Sequence, residues 1–469
     1  MDKINLGLIG IGVMGQNLTL NIERNGFSVA VYDREIDRIK TFLQGKAKGK
    51  RIIGSTSIDE FLKQLERPRR IILLVNAGKP VDDVIESMKQ NLENGDLIID
   101  GGNSYFMDTE RRCAALEEEG IYFIGSGVSG GEEGALKGPS IMPGGAPDAY
   151  NLIKPVFTKI AAHINDEPCC AYIGPRGAGH YVKMIHNGIE YAIMQLICEA
   201  YDIIKTIFGH SASEIGYIFK EWNTGDLNSY LFEISHKVLL KVDEDKNEPL
   251  VDLILDTAEQ KGTGIWTSQN AFDVGIPIPT INAAVESRIL SSFKEQRKAA
   301  ANLLKGPVIG KMKDGTSFLN DVRSALYASI IISYAQGMAL LGAASKEYKY
   351  DLKLDKIAKI WRGGCIIRSK ILDPIHNAYQ KSPSLENMMT DNYFSTQLNI
   401  LNIPLRRTVA TAVKAGIPIM AMSASLAYYD AYRSNRLPAN LLQAQRDYFG
   451  AHTYRRIDKE GVFHTIWEE

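Results

Sequence analysis

The chain has 469 residues, too many for one hydrophobic core, which points to two or three domains. Its 54 basic and 55 acidic side chains leave a formal charge of −1. That balance gives no reason to expect nucleic acid or an anionic membrane as a partner.

Residues 4–10, INLGLIG, form a strand pattern that starts almost at the first residue, so no signal or transit peptide is expected. The five cysteines (Cys113, Cys169, Cys170, Cys198 and Cys365) are odd in number and lack metal-ligand spacing. Adjacent Cys169 and Cys170 would bridge only with strain, so a reduced, cytoplasmic setting fits best. After the first strand, Gly10-Ile11-Gly12-Val13-Met14-Gly15 leads into a helical stretch, Gln16 to Arg24, stopped by Gly26. FSVAVYD (27–33) reads as a second strand ending on an acid. Strand, glycine turn, helix, strand in about thirty residues is the dinucleotide-binding pattern. Its glycines allow a tight turn and bring backbone close to a pyrophosphate at the helix N-terminus.

Three more apolar runs follow, RIILLV (70–75), DLIIDGG (96–102) and IYFIGSG (121–127), of the kind buried on both faces of a parallel sheet. Helical segments lie between them, among them Val81 to Leu92 and Asp108 to Glu119. The cluster Arg67, Arg69, Arg70 reads as a solvated strand entry. Ligands bind outside the carboxyl ends of such strands, so the segments 75–80, 100–106 and 125–145 matter most. The third holds eight glycines and two prolines and reads as a long loop. Within it Ser129, Gly130 and Gly131 present backbone N–H groups suited to an anion.

Near residue 176 the periodicity becomes helical and stays so to about 435. In Gly177 to Tyr201, GAGHYVKMIHNGIEYAIMQLICEAY, the residues Lys183, His186, Asn187 and Glu190 are spaced i, i+3, i+4, i+7 and share one face. A solvated stripe is the plain reading of such a face, and His186 with Glu190 at i, i+4 also suits a metal. Lys183 on the same face argues against a cation, and the apolar flanks (Met184, Ile185, Ile189, Ile193) argue for a cavity. Ser324 to Ser345 carries no charge and is long enough to span a bilayer, but it is rich in Ser, Ala, Tyr and Gly. A buried all-round apolar helix is the better expectation. The stretches from Val182 and Val322 form a loose internal echo in which the second lacks His, Asn and Glu. The last 35 residues keep Phe449, Tyr454, Phe463 and Trp467, a set that needs something to bury them, such as a partner subunit.

Taken together, GLIGIGVMGQNL, RRIILLV, IIDGGNS, GSGVSGGEEGA, GHYVKMIHNGIEYAIMQLICEAY, QKGTGIWT, WRGGCIIRS and QAQRDYFGAHTY resemble the decarboxylating 6-phosphogluconate dehydrogenases, from residue 4 to about 467. The resemblance implies an α/β Rossmann-type N-terminal domain (1–176), a large all-α domain (177–434) and a C-terminal tail (435–469) reaching a partner subunit. It implies metal-free, NADP-dependent oxidation and decarboxylation of 6-phosphogluconate to ribulose 5-phosphate, by a cytoplasmic homodimer of the pentose phosphate pathway. Carried over by position, the general base falls on Lys183 and the general acid on Glu190. Substrate contacts fall on Asn103, Ser129, Gly130, Gly131, His186, Asn187, Tyr191, Lys261, Arg288, Arg446 and His452. Cofactor contacts fall on Gly10 to Gly15, on Asp33, Arg34 and Glu35, on Val75, Asn76 and Ala77, and on Asn103.

One departure stands out. The family usually carries Asn-Arg-Thr or Asn-Arg-Ser where this chain has Asp33-Arg34-Glu35, and Asn76 replaces a commonly basic position. An acid at the end of the second strand ordinarily takes the ribose 2′-hydroxyl of NAD and repels a 2′-phosphate, so a weakened NADP preference, or NAD use, is the expectation. The rival readings are a non-decarboxylating β-hydroxyacid dehydrogenase and a non-catalytic nicotinamide sensor. QKGTG and the C-terminal QRDYFGAHTY speak against the first, and Lys183 with Glu190 against the second.

Overall fold

The computed structural model describes residues 3–307 and 316–468. The first part is a seven-stranded sheet in the order β3-β2-β1-β4-β5-β6-β7. Its strands are β1 (Leu6–Ile9), β2 (Val29–Tyr32), β3 (Ile52–Gly54), β4 (Arg70–Leu73), β5 (Leu97–Asp100), β6 (Tyr122–Ser129) and β7 (Ser140–Gly145). β1 to β6 run parallel, and β7 lies antiparallel to β6 at the edge. Between them lie α1 (Val13–Arg24), α2 (Ile36–Gln44), α3 (Ile58–Gln64), α4 (Lys79–Lys89), α5 (Phe106–Glu117), α6 (Gly131–Lys137) and α7 (Pro147–Ile160). Strand order reverses between β1 and β4, so the crevice for a ligand opens above their carboxyl ends.

Two strands depart from the sequence reading. β3 has only three residues and shows no pattern of its own. The segment 125–145 is not a long loop: β6 continues to Ser129, α6 follows, and β7 returns as SIMPGG. Proline and two glycines disguise β7; the Pro143 carbonyl accepts from Ile173 N at 2.9 Å on the outer side of this strand, so its missing N–H faces away from β6.

The 31-residue helix α8 (Ala178–Phe208) follows and ends at Gly209 in the left-handed region, φ 71°. Its first turns lie on β6 and β7 at backbone distance. A Cβ on Gly179 would collide with Gly125, Met142 and Gly144 backbone atoms, and one on Gly127 would strike the Lys183 stem. This close seating puts the polar face of α8 at the carboxyl end of the sheet. Beyond it the chain is helical. Thr316–Glu347, the charge-poor segment, is a core helix with 89% of its most apolar window buried, and it packs beside α8 and Asn392–Lys414. Helices Thr263–Val274 and Pro279–Ser292 also cover α8. In the last helix, Ala439–Gly450, only Asp447 is buried.

Candidate active site

The polar stripe of α8 is not a solvated face. Lys183 is 6% exposed, His186 is fully buried and Glu190 is half-buried. Seven residues of helix rise by about 10 Å, yet the two end groups converge on one imidazole. Lys183 Nζ lies 3.4 Å from His186 Nδ1, and Glu190 Oε2 lies 3.8 Å from the same atom. The amine and the carboxyl are therefore no more than about 7 Å apart. Asn187 Oδ1 approaches Nδ1 at 3.1 Å, while Ser129 Oγ meets Nε2 at 3.2 Å. Trp361 packs edge-on against the ring.

Burial sets the protonation of all three groups. It lowers the Lys183 amine from the ordinary lysine value, against the pull of Glu190. It raises the Glu190 carboxyl, against Lys183 and Arg288. Burial first and the Lys183 charge second hold His186 well below the usual imidazole value, so the ring is neutral at pH 7. Burial thus shifts the amine and the carboxyl each toward its neutral form, the direction that suits a base and an acid.

Other predicted residues gather around this stripe. Ser129 ends β6, and Gly130 (φ 111°) and Gly131 (φ 61°) turn the chain into α6 with their N–H groups at its start. The Gly364 carbonyl lies so close to Gly130 that a side chain there would collide with it, so WRGGCIIRS forms the back wall of this turn. Asn187 Nδ2 donates to Thr263 Oγ1 at 3.2 Å, which ties QKGTGIWT to α8. Arg288 lies over the Tyr191 ring at 3.5 Å from its centroid, a cation–π contact that holds the guanidinium beside Glu190. Lys261 is exposed and lines a cavity of about 570 Å³ together with Met14, Val75, Asn76, Ala77 and Asn103.

A second cavity of about 450 Å³ shares Leu74, Val75 and Asn76 with the first and continues past Gly10 and Gly12 to Asp33, Arg34, Glu35 and Arg38. Together they make a groove along the carboxyl ends of β1, β2, β4 and β5. Its glycine turn fits a dinucleotide. A Cβ on Gly10 or Gly15 would collide with the Leu74 or Gly10 carbonyl oxygen, whereas one on Gly12 meets nothing within 4 Å, leaving room for a phosphate at the N-terminus of α1. Asp33 lines this groove, and its carboxylate also has a structural part. Its Oδ2 accepts from Ile11 N at 2.7 Å and its Oδ1 from Glu35 N at 2.9 Å, so it braces the glycine turn. Arg38 pairs with both Glu35, at 2.8 Å, and Asp33, at 3.3 Å, and Arg34 is exposed, 4.0 Å from Asp83.

Comparison with known proteins agrees with this geometry. Residues 5–174 match the NAD binding domain of 6-phosphogluconate dehydrogenase, and residues 179–467 match the 6-phosphogluconate dehydrogenase C-terminal domain. The chain belongs to the 6-phosphogluconate dehydrogenase family. A Bacillus subtilis relative named 6-phosphogluconate dehydrogenase, NADP(+)-dependent, decarboxylating is 54% identical over 468 residues, covering 100% of both chains. The Escherichia coli enzyme named 6-phosphogluconate dehydrogenase, decarboxylating is 52% identical, again over 100% of both. The solved Plasmodium falciparum 6-phosphogluconate dehydrogenase, known in its apo form and in complex with NADP+ and with 6-phosphogluconate, superposes with a TM-score of 0.95 at 47% identity, covering 99% of this chain and 100% of that one.

Within this member of the family, two predicted residues stand apart from the stripe. Arg446 Nη1 donates to Gln443 Oε1 in its own helix, and His452 packs against Phe449. Sequence reasoning also missed several groups. Trp361, Thr263 and Gly364 support the site from motifs that were legible but had no assigned role. Arg112, buried behind the cofactor groove, sits in a charge-rich helix to which the sequence assigned no role.

Proposed function

We propose that this chain oxidises and decarboxylates 6-phosphogluconate to ribulose 5-phosphate and carbon dioxide with NADP as hydride acceptor. The observation that carries this reading is the convergence of a buried amine and a half-buried carboxyl on one neutral imidazole beside a dinucleotide groove. Bound NADP supplies a hydride acceptor at its nicotinamide ring; the Gly10–Gly15 turn, Asn76, Ala77 and Asn103 would hold it, with Arg34 and Arg38 toward the 2′-phosphate. The exposed Arg34 and the 54% identity to an NADP(+)-dependent relative support NADP over the NAD-preferring alternative, although Asp33 and Glu35 hold Arg38.

In this reading neutral Lys183 takes the proton of the substrate's C3 hydroxyl as hydride leaves. The resulting β-keto acid loses carbon dioxide with the ketone as electron sink, and the Lys183 ammonium stabilises the enolate oxygen that forms. Glu190 delivers the proton to carbon from the far side of His186. Neutral His186 with Asn187 holds the sugar hydroxyls, and the Ser129-Gly130-Gly131 turn takes the carboxylate. Lys261, Arg288 and Tyr191 serve the phosphate end. We further propose a homodimer in which Arg446 and His452 enter the partner's site. The exposed Leu441, Leu442, Phe449 and Ile466 of the tail support an interface there. The three-part division at 176 and 434 is supported by the last strand ending at Pro168 and the first long helix starting at Ala178. Five free cysteines suit a cytoplasmic setting. The test is incubation with 6-phosphogluconate and NADP. Equal yields of NADPH and carbon dioxide are expected; NADPH without carbon dioxide would favour a β-hydroxyacid dehydrogenase, and neither product would overturn the proposal.

A further inference from the structure

Arg112 on α5 is 2% exposed and touches no residue of the stripe. Among the described residues its guanidinium bonds to the segments that frame the cofactor groove. Nε donates to Asp82 Oδ1 at 2.8 Å, Nη2 to Asp82 Oδ2 at 3.1 Å and to the Gly78 carbonyl at 3.0 Å, and Nη1 reaches Asp100 Oδ2 at 3.5 Å. Gly78 and Asp82 belong to the start of α4, directly after Val75-Asn76-Ala77. Asp100 ends β5, directly before the loop of Asn103.

Asp100 organises that loop in turn: Oδ1 accepts from Gly102 N at 3.0 Å and Oδ2 from Ser104 Oγ at 2.6 Å. The two loops lie against each other. Gly101 N donates to the Leu73 carbonyl at 2.9 Å, and a Cβ on Gly102 would sit 3.2 Å from the Val75 carbonyl. A buried guanidinium is costly unless its donors are satisfied, and here each of the three nitrogens has an acceptor. α4 has no side-chain cap and begins at Gly78 with φ 84°, so the Arg112 bond is the side-chain tie at its N-terminal carbonyl.

We propose that Arg112 is a positioning residue for the nicotinamide cofactor, locking the 75–78 and 100–104 segments at one separation so that Asn76, Ala77 and Asn103 face the same bound dinucleotide. The proposal rests on the reading that these loops hold NADP. Asp100 and Asp82 are its partners on the two sides; Arg111 also bonds both Asp82 oxygens, at 3.0 and 3.1 Å, so loss of Arg112 removes the link between the two loops while Arg111 still holds the start of α4.

The test uses the full-length enzyme with Arg112→Met, and with Asp82→Asn as a milder variant on a half-exposed partner. Dissociation constants for NADP and, separately, for 6-phosphogluconate are measured by calorimetry, with the deuterium isotope effect on kcat from substrate labelled at C3. Arg112→Met is expected to weaken NADP by about tenfold, or about 1.4 kcal/mol, and to raise the isotope effect as the nicotinamide end loses alignment. Binding of 6-phosphogluconate alone stays within about twofold, because Arg112 does not touch the α8 stripe. Asp82→Asn moves NADP binding the same way by less, and it decides the matter by the same criteria if Arg112→Met fails to fold. Unchanged NADP binding, or equal weakening of both ligands, would overturn the proposal. Failure of the unmodified enzyme to bind NADP would instead sink the cofactor reading itself and this proposal with it.

Discussion

Glu199 lies on α8 beyond Glu190 and is 2% exposed. Its carboxyl accepts from Ala421 N and Met422 N, both at 2.8 Å, at the start of the helix Met420–Arg433. Burial nonetheless outweighs these donors and pushes its pKa from 4.5 up to about 7. A folded-state value above the unfolded one means the folded chain holds more protons in between. Stability from this group is therefore complete below pH 4.5 and is lost as pH rises through about 7. The shift corresponds to about 3 kcal/mol. Glu199→Gln removes the titration and keeps one acceptor oxygen, at the cost of one hydrogen bond at every pH. With about 2 cal/mol/K of unfolding entropy per residue, about 3 kcal/mol moves the melting temperature of a 469-residue unit by about 3 °C. Thermal unfolding followed from pH 5 to pH 8.5 should show the wild type losing about that much relative to the variant. Parallel pH dependences, with a constant difference between the two proteins, would refute the reasoning.

Three further outcomes follow from the site. The pH profile of kcat/KM should be bell-shaped: activity falls in acid as Lys183 gains its proton and in alkali as Glu190 loses its own, and the two apparent values belong to the coupled pair. In Glu190→Gln the alkaline limb should disappear with most of the rate; a surviving limb points to another acid. Glu35→Ser removes one of the two carboxylates that hold Arg38, Asp33 remaining at 3.3 Å, and should raise the NADP-over-NAD ratio of kcat/KM by about two- to fivefold, the range of an exposed pair, while a fall in that ratio would contradict the assignment of Arg38. Asp447 gathers Thr453 N, His464 Nδ1, Thr465 N and Trp467 Nε1 on its two oxygens. Asp447→Ala should make the tail the first site of limited proteolysis and raise KM for 6-phosphogluconate; a tail as resistant as the wild type's would show that other contacts hold it.

The parts of this structure that were legible in the sequence are those with a local rule behind them. The glycine turn, the parallel strands of four or more residues and the long helix with Lys183, His186, Asn187 and Glu190 each follow from spacing alone. β3 and β7 were not legible, since one is three residues long and the other carries Pro143 and two glycines at an edge. The reach of side chains was also hidden. Spacing put Lys183 and Glu190 about 10 Å apart along the helix axis, but both tips bend toward His186. Asp33 reads as a ribose ligand because of its position; that it also accepts from Ile11 N and Glu35 N and pairs with Arg38 is not visible in the sequence. Arg112 shows the same limit, because its acceptors lie 12 to 34 positions away in sequence.

The central claim is that Lys183 is the base on the α8 stripe. Its most direct test is Lys183→Met, a swap of similar length that removes the amine from a site where it is 6% exposed. Turnover of 6-phosphogluconate with NADP should fall by at least about a thousandfold, within the range for losing a general base, while the dissociation constant of 6-phosphogluconate stays within about tenfold. A variant that binds substrate and still turns over at near the wild-type rate would contradict the account.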